Sequence, residues 1–215
     1  MAINKKNFFL LLCLIMLSGT TFFSCTADEE IVQTPVSEDY KGKAKEMLTD
    51  SIVFYTRAMQ STVNKTLLEE GCPVKYFFEW RDGDVVNVQI RNFSVGKMPV
   101  RIWYSINCKL MQLNTWEKDE YTGEGWIKFQ GSGGVTDYTG EADGYTDGNG
   151  GDGYTTGYLN VLTKELEMAC NFNVMLMQSS VYRQTIIYSR IDTFEADFAQ
   201  YEKDLAEYKK EHGIS

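Results

Sequence analysis

The feature that most constrains the fold is a period-two alternation of apolar and polar residues, which recurs between residues 74 and 191. In the clearest run, 166–176, apolar side chains occupy every even position. Successive side chains of a β-strand point to opposite faces, so this run predicts a strand with one buried face. Similar runs predict strands over 74–80, 86–90, 101–110, 125–130, 158–163 and 181–191. Half-buried strands joined by short turns, such as Asp82-Gly83, predict a mainly β protein: an antiparallel β-barrel or β-sandwich.

The segments before these strands have weaker patterns. Lys41, Lys43 and Lys45 alternate with Gly42 and Ala44, which would place all three lysines on one face of a strand. Residue propensity would also allow a helix here, but a helix would scatter the three lysines, so we expect a first strand over 40–48. Residues 51–69 fit either a second strand or a helix that crosses one end of the domain.

The end of the chain has a helical period. Five apolar or aromatic residues are spaced by four, three, four and three positions, which predicts an amphipathic C-terminal α-helix over 192–213. This stripe consists of Phe194, Phe198, Tyr201, Leu205 and Tyr208. We expect the helix to pack on a face or open end of the β-domain, in a monomeric protein. The alternative is a dimeric coiled coil, for which two heptads are short.

The first 24 residues have the layout of a signal peptide: a basic start at Lys5 and Lys6, an apolar run over 8–17, and then small and polar residues. The run is shorter than the roughly 20 apolar residues that span a bilayer. It leads to Phe22-Phe23-Ser24-Cys25, which resembles the lipobox of bacterial lipoproteins, although Phe replaces the usual Leu. The resemblance implies that 1–24 is removed and that Cys25 is acylated. The alternative is an ordinary signal peptide with an unmodified cysteine.

An acidic cluster at 26–30 follows Cys25. It resembles the export signal of Bacteroidota outer-membrane lipoproteins, which implies an exported chain held in the outer membrane by its N-terminal lipid and exposed at the cell surface. A periplasm-facing anchor is the alternative. Residues 25–39 lack periodicity and contain Pro35, so we expect a flexible acidic tether between the lipid and a β-domain over 40–191.

Composition excludes several function classes. The only histidine is His212, near the C-terminus, so one chain cannot assemble a histidine-based catalytic triad, a Cys-His dyad or a multi-histidine zinc site. A net charge of -9 argues against nucleic acid as a partner, because binding phosphates requires a basic surface.

The remaining cysteines are Cys72, Cys108 and Cys170. By strand parity Cys108 and Cys170 both face the core, where they either form a disulfide or stay reduced, the commoner state for buried cysteine. Cys72 lies in a Gly-Cys-Pro turn, where we expect it to be exposed.

Residues 131–157 contain ten glycines and read as a surface loop between strands. A calcium site is the alternative, because Asp143, Asp147, Asn149 and Asp152 offer the oxygen ligands that calcium prefers. The segment lacks the EF-hand pattern. No other cofactor is expected.

Aromatic residues supply the remaining hint of a site. Trp103 has the opposite parity to Ile102 and Tyr104, which makes it the tryptophan that we expect to be at least half exposed. Arg101 shares its face, so these two residues are the candidate ligand-binding residues. No residue is assigned a catalytic role, since the 30 acidic residues offer many carboxylate pairs and no reason to choose one.

Region 40–191 contains three short motifs, Tyr40-Lys41-Gly42, Ile90-Arg91-Asn92-Phe93 and Lys164-Glu165-Leu166. Through these motifs it resembles the small lipocalin-like or calycin-like lipoproteins of Bacteroidota, many of unknown function. The resemblance transfers no binding residue. We expect a non-enzymatic, lipid-anchored binding or accessory module with a glycan or small-molecule ligand. The alternatives are a carboxylate-based glycan hydrolase and a protein-interaction or assembly module that uses the C-terminal helix.

Overall fold

The computed structural model describes residues 35–139 and 152–214. The helices in this part of the chain are α1 (Glu38–Met47), α2 (Glu117–Glu120) and α3 (Arg190–Glu211). The strands are β1 (Asp50–Gln60), β2 (Val63–Asn64), β3 (Cys72–Trp80), β4 (Val85–Phe93), β5 (Arg101–Met111), β6 (Trp126–Thr139), β7 (Gly153–Asn160), β8 (Glu165–Asn171) and β9 (Met177–Thr185).

The strands form an antiparallel meander that closes on itself. Neighbours follow the order β1-β3-β4-β5-β6-β7-β8-β9, and β1 also pairs with β9. The closing register runs from Arg57 opposite Ser180 to Gln60 opposite Met177. The short β2 pairs with the end of β1. The mainly β prediction is confirmed, and of its two architectures the structure has the closed barrel.

Inward-facing side chains fill the barrel. Phe54, Tyr76, Phe129 and Phe172 are among the largest fully buried residues. Gly157 lies against the Phe129 ring, and a Cβ at this position would overlap the ring. The alternation seen in the sequence therefore builds a close-packed core.

The first element of the domain is a helix, so the prediction of a strand over 40–48 is wrong. The Ser37 hydroxyl caps α1 by accepting a hydrogen bond from the Tyr40 backbone N–H at 3.3 Å. Lys41 and Lys43 pair with acidic residues three and four positions earlier, as helical spacing allows. Ala44, fully buried, faces the core.

α1 packs at the end of the barrel where β1 begins. The Trp80 indole N–H donates a hydrogen bond of 2.6 Å to the carbonyl of Leu48, and Lys41 forms an ion pair of 2.8 Å with Asp84 in the turn after β3. The lysine alternation that suggested a strand thus belongs to a helix held by salt bridges on its exposed side.

Other boundaries also differ from the predictions. The glycine-rich segment 131–157 is not a surface loop throughout, because β6 continues to Thr139 and β7 begins at Gly153. The strand predicted over 158–163 is the last part of β7, which ends at Asn160. The ambiguous segment 51–69 is a strand rather than a helix: β1 extends to Gln60, and the short β2 follows at Val63–Asn64. The strand predicted over 166–176 ends at Asn171, because Asn173, Met175 and Leu176 have positive φ angles of 52°, 49° and 58°. These three residues reverse the chain toward β9, which runs from Met177 to Thr185 rather than over 181–191.

The predicted C-terminal helix is confirmed as α3, which lies on the outer wall of the barrel against β1 and β3. Tyr201, at the centre of the predicted stripe, is 5% exposed, and its hydroxyl donates a hydrogen bond of 3.1 Å to the Thr66 carbonyl. Phe198 and Leu205 pack beside it. No helix among residues 35–139 and 152–214 is long and apolar enough to cross a membrane.

Candidate ligand-binding groove

A β-bulge in β4 positions the residues of the candidate site. The register between β4 and β5 shifts between Ile90 and Phe93, and Asn92 adopts a φ of 57°. Ile90 and Phe93 are both buried, so the extra residue leaves Arg91 and Asn92 exposed together on the outer wall. Arg101, across on β5, donates a hydrogen bond of 2.7 Å from Nη1 to Oδ1 of Asn92.

Next to this bulge, a groove of about 480 Å³ separates α3 from the outer wall of β3, β4 and β5. We call it the α3 groove. Its volume lies within the range typical of small-molecule sites, roughly 300–1,000 Å³. Its aromatic lining consists of Phe77, Phe194 and Phe198, and its charged lining consists of Lys75, Arg91, Arg101, Glu195 and Glu202.

Aromatic rings and amide oxygens hold the arginines and the lysine of the groove in place. The Arg91 guanidinium lies 4.1 Å from the Phe77 ring centroid and donates a 2.9 Å hydrogen bond from Nη2 to Oε1 of Gln89. Lys75 lies 4.0 Å from the Phe194 ring centroid and 3.4 Å from the Glu195 carboxylate. Such stacking keeps the cations flat against the wall.

The two arginines differ from Lys75 in their partners. Within the described residues, neither Arg91 nor Arg101 forms an ion pair with a carboxylate. Both bond amide oxygens, which are neutral acceptors. In a chain of net charge -9, this leaves two positive groups on one wall available for an anion.

Two smaller depressions meet the α3 groove at Arg91. One, of about 160 Å³, is lined by Arg91, Trp103, Ser105 and Asp137 among others, and the second, of about 300 Å³, by Ser51 and Arg91 among others. The groove therefore continues sideways across the barrel wall.

The sequence-derived candidates fall in this region. Arg101 lines the α3 groove and Trp103 the adjoining depression, and their role in binding stays a prediction. Trp103 is only partly exposed, so the expectation that it is at least half exposed is wrong. The indole sits in the depression between Arg91 of β4 and Asp137 of β6, which is opposite Trp103 in register.

Sequence reasoning missed Lys75, Phe77 and Arg91 as site residues. All three lie at outward-facing positions of β3 and β4. Many residues of the predicted strands face outward, and the sequence gives no reason to select these three. The consecutive polar pair Arg91-Asn92 between apolar residues was the available signal, because it interrupts the alternation as a bulge does. Phe194 and Phe198 were recognised only as part of the packing stripe.

Most of the calcium candidates, Asp143, Asp147 and Asn149, lie outside the described residues. Asp152 is exposed just before β7. Among the residues that the structure describes, no group of three or more histidine, cysteine or acidic side chains could hold a metal ion.

The three described cysteines are free thiols and all are buried. Cys72 is fully buried, so its predicted exposure is wrong. It opens β3 opposite Thr56, where Gly71 brings the chain so close to the β1 backbone that a Cβ would lie 2.7 Å from the Thr56 carbonyl oxygen. Burial raises the pKa of Cys72 and Cys108 strongly and that of Cys170 to about 11, which keeps all three protonated and unreactive.

A second group of ionisable residues lies where α2 contacts β6 and β7, and its charged groups bond to one another. The Lys128 ammonium contacts both carboxylate oxygens of Glu117, at 2.9 and 3.0 Å, and the Tyr158 hydroxyl donates a hydrogen bond of 3.0 Å to Oε1. The Tyr121 ring stacks on Tyr158 with centroids 4.0 Å apart. This arrangement fastens α2 to the barrel wall.

Burial would by itself raise the pKa of Glu117, but the Asn114 backbone N–H, Lys128 and Tyr158 together lower it. Burial, followed by the hydrogen bond to Glu117, raises the pKa of Tyr158 to about 12. Glu117 is therefore ionised and Tyr158 is protonated at neutral pH, as expected of groups that stabilise the fold.

A family model described as Domain of unknown function (DUF4903) matches residues 25–213. Comparison with curated proteins and with solved structures gave no match.

Proposed function

The chain belongs to the DUF4903 family of domains of unknown function, and we propose that it is a non-enzymatic binding or accessory module on a lipid anchor. Its ligand, a glycan or another small molecule, occupies the α3 groove. The observation that carries this proposal is the groove itself: three phenylalanines and two arginines without carboxylate partners among the described residues line one concave surface.

The barrel interior has less space for a ligand than the α3 groove. At Gly157 the strand approaches the Phe129 ring so closely that no Cβ fits, and the Tyr104 ring meets Gly153 in the same way. Tyr104 also spans the interior to Thr155, with 3.1 Å between the two hydroxyl oxygens. These contacts favour binding on the outer wall over binding inside the barrel.

A thermal-shift screen of small molecules together with a glycan array tests the binding function. We expect at least one compound that raises the melting temperature of the wild type. The Phe194→Ala variant should lose this response, because Phe194 lines the groove, while Trp116→Ala should keep it, because Trp116 is 74% exposed and lies elsewhere. Blank results in both screens would count against a binding module.

The proposed lipid anchor depends on Cys25, which ends the lipobox-like segment. Replacing Cys25 by serine should abolish incorporation of a labelled fatty acid and release the chain into the soluble fraction. Cys13→Ser is the matched control, because Cys13 lies in the apolar run of the signal and should leave acylation unchanged. Acylation that persists in Cys25→Ser would contradict the proposal.

We further propose that the anchored domain is on the outer face of the outer membrane, which the acidic cluster at 26–30 supports. Added protease should then degrade the domain in intact cells. Protection in intact cells, with degradation after the outer membrane is permeabilised, would instead indicate the periplasmic face.

A further inference from the structure

Arg91 and Arg101 are arranged to receive an anion. A guanidinium carries five N–H donors. Among the described residues Arg101 commits Nη1 to Asn92, and Arg91 commits Nε and Nη2 to Gln89. The remaining donors are available to a carboxylate or sulfate, whose oxygens match the geometry of the guanidinium fork.

The charge balance of the groove limits how acidic its occupant is. In the α3 groove, Lys75, Arg91 and Arg101 supply three positive charges, and Glu195 and Glu202 supply two negative charges, which leaves a net charge of +1. Asp137 adds one acidic side chain in the adjoining depression. Lys75 is already paired with Glu195. Glu195 and Glu202 of α3 would therefore repel a ligand with dense negative charge, whereas the two arginines can bind a ligand that carries a single acidic group.

The shape of the groove suits an elongated ligand with flat, weakly polar faces. Its α3 side extends from Phe194 to Glu202, about 12 Å at the helical rise per residue. From Arg91 it continues into the depression that holds Trp103. Aromatic rings spaced along such a path offer flat apolar surface, on which the C–H faces of sugar rings can lie.

An acidic peptide is a less suitable occupant. One common way in which an extended peptide binds a sheet is to add a strand to a free edge. Each of the eight barrel strands has a partner on both sides, because β9 closes on β1. The wall of the groove presents side chains of β3, β4 and β5, which are interior members of this closed order.

We infer that the ligand of the α3 groove is an acidic oligosaccharide, with a carboxylate or sulfate group bound by Arg91 and Arg101 and its sugar rings lying along Phe194, Phe198 and Trp103. This inference rests on the proposed binding function and specifies its ligand class.

Isothermal titration of the full-length chain in detergent tests the inference with defined probes. These are maltohexaose with one glucuronate in place of a glucose, which carries one carboxylate, maltohexaose with one sulfate ester, neutral maltohexaose, and a hexaglutamate peptide. We expect binding of an acidic oligosaccharide and no binding of maltohexaose. Affinity should fall about tenfold or more in each of Arg91→Gln and Arg101→Gln, the loss expected for a charge-assisted hydrogen bond. The two acidic sugars distinguish a carboxylate requirement from a sulfate requirement.

Arg183→Gln is the matched control, because it removes the same charge from an exposed arginine of β9 that pairs with Glu167 away from the α3 groove and its adjoining depressions. It should bind like the wild type. Melting curves of all three variants check that the fold is retained, which the exposure of Arg91 and the partial exposure of Arg101 predict.

Three results would overturn the inference. Maltohexaose binding that Phe194→Ala weakens and the arginine variants leave unchanged would reject the acidic ligand while the binding function stands. Binding of hexaglutamate but of no oligosaccharide would replace the glycan by an acidic peptide. If none of the four probes binds, the acidic oligosaccharide is rejected, and the wider screen then decides the binding function separately.

Discussion

Replacing Lys128 by methionine should destabilise the barrel by about 3 kcal/mol. The side chains of Lys128 and Glu117 are only 7% and 11% exposed, so the substitution leaves a carboxylate without its counter-ion in a nearly dry site. Losing one partner of a buried ion pair costs roughly 3–5 kcal/mol. The lower end applies because Asn114, at 2.8 Å, and Tyr158, at 3.0 Å, still donate hydrogen bonds to the carboxylate.

Equilibrium unfolding in urea, followed by tryptophan fluorescence, measures this loss. For a domain of this size, 3 kcal/mol corresponds to a fall in melting temperature of about 6–12 °C. The double variant Lys128→Met/Glu117→Gln should recover about 2 kcal/mol, because a neutral amide no longer needs the ammonium. Arg81→Met should cost less than about 1 kcal/mol, since the Arg81–Glu79 pair is 48% and 55% exposed.

The pH dependence of stability gives an independent check. The pKa of Glu117 is lowered in the folded state, so its contribution is fully present above the ordinary glutamate pKa of 4.5 and is lost as pH falls through the lowered value. The difference in stability between the wild type and the double variant should therefore shrink below about pH 4.5. A Lys128→Met variant within 1 kcal/mol of the wild type at pH 7, or a coupling energy near zero, would refute the reasoning.

Three further predictions concern the core and α3. Gly157→Ala should lower the free energy of unfolding in urea by at least about 1–3 kcal/mol, because the new methyl group overlaps the Phe129 ring. Gly42→Ala, with open space around it in α1, should raise it by about 0.5–1 kcal/mol. Equal effects of the two substitutions would contradict the packing described for Gly157. Tyr201→Phe should cost about 1–2 kcal/mol by the same assay, since the Thr66 carbonyl loses its buried donor; an unchanged midpoint would mean that water replaces it. With the two cysteines upstream of residue 35 replaced by serine, the three buried thiols should react with a thiol reagent only after unfolding; rapid labelling of the native chain at pH 8 would show that they are accessible.

The period-two pattern was the most informative part of the sequence. Every segment with a sustained alternation between residues 74 and 191 contributes to a strand, because one buried face imposes that pattern locally. Three of the strands end earlier than predicted, at Asn160, Asn171 and Thr185. The run at 166–176 shows the limit of the rule. Its alternation continues through residue 176, yet Asn173, Met175 and Leu176 turn the chain at positive φ. Polarity alone does not encode where a hairpin reverses.

The error at 40–48 has a different cause. Lys41 and Lys43 satisfy a period of two, but they also lie three and four residues after Glu38 and Asp39, the spacing of helical ion pairs. Helix formation is decided by contacts outside the segment, namely burial of Ala44 and the Lys41–Asp84 pair with the turn after β3. These contacts involve residues outside 40–48, so the pattern within the segment could not show that they favour a helix over a strand.

The candidate site was visible only in part. Arg101 and Trp103 were found by their parity, since an outward-facing tryptophan beside an arginine stands out on a half-buried strand. Arg91 and Phe77 become site residues only because a bulge and a long helix lie next to them. A groove between a helix and a barrel wall joins positions more than 100 residues apart, such as Phe77 and Phe194, and no local periodicity reports that distance.

The sequence by itself determined the strands with a sustained alternation between residues 74 and 191, which face of each is buried, and that a helix closes the chain, because these features follow from side-chain periods of two and 3.6 residues. It did not determine β1, or the parts of β6 and β7 that lie within the glycine-rich segment. Only the tertiary structure decided that the strands close into a barrel rather than split into two sheets, since closure depends on the pairing of Arg57–Gln60 in β1 with Met177–Ser180 in β9. It also decided that Arg91 and Arg101 meet the aromatic residues of α3 in one groove. Both outcomes depend on contacts between residues distant along the chain, whose free energy is realised only when the whole barrel has formed.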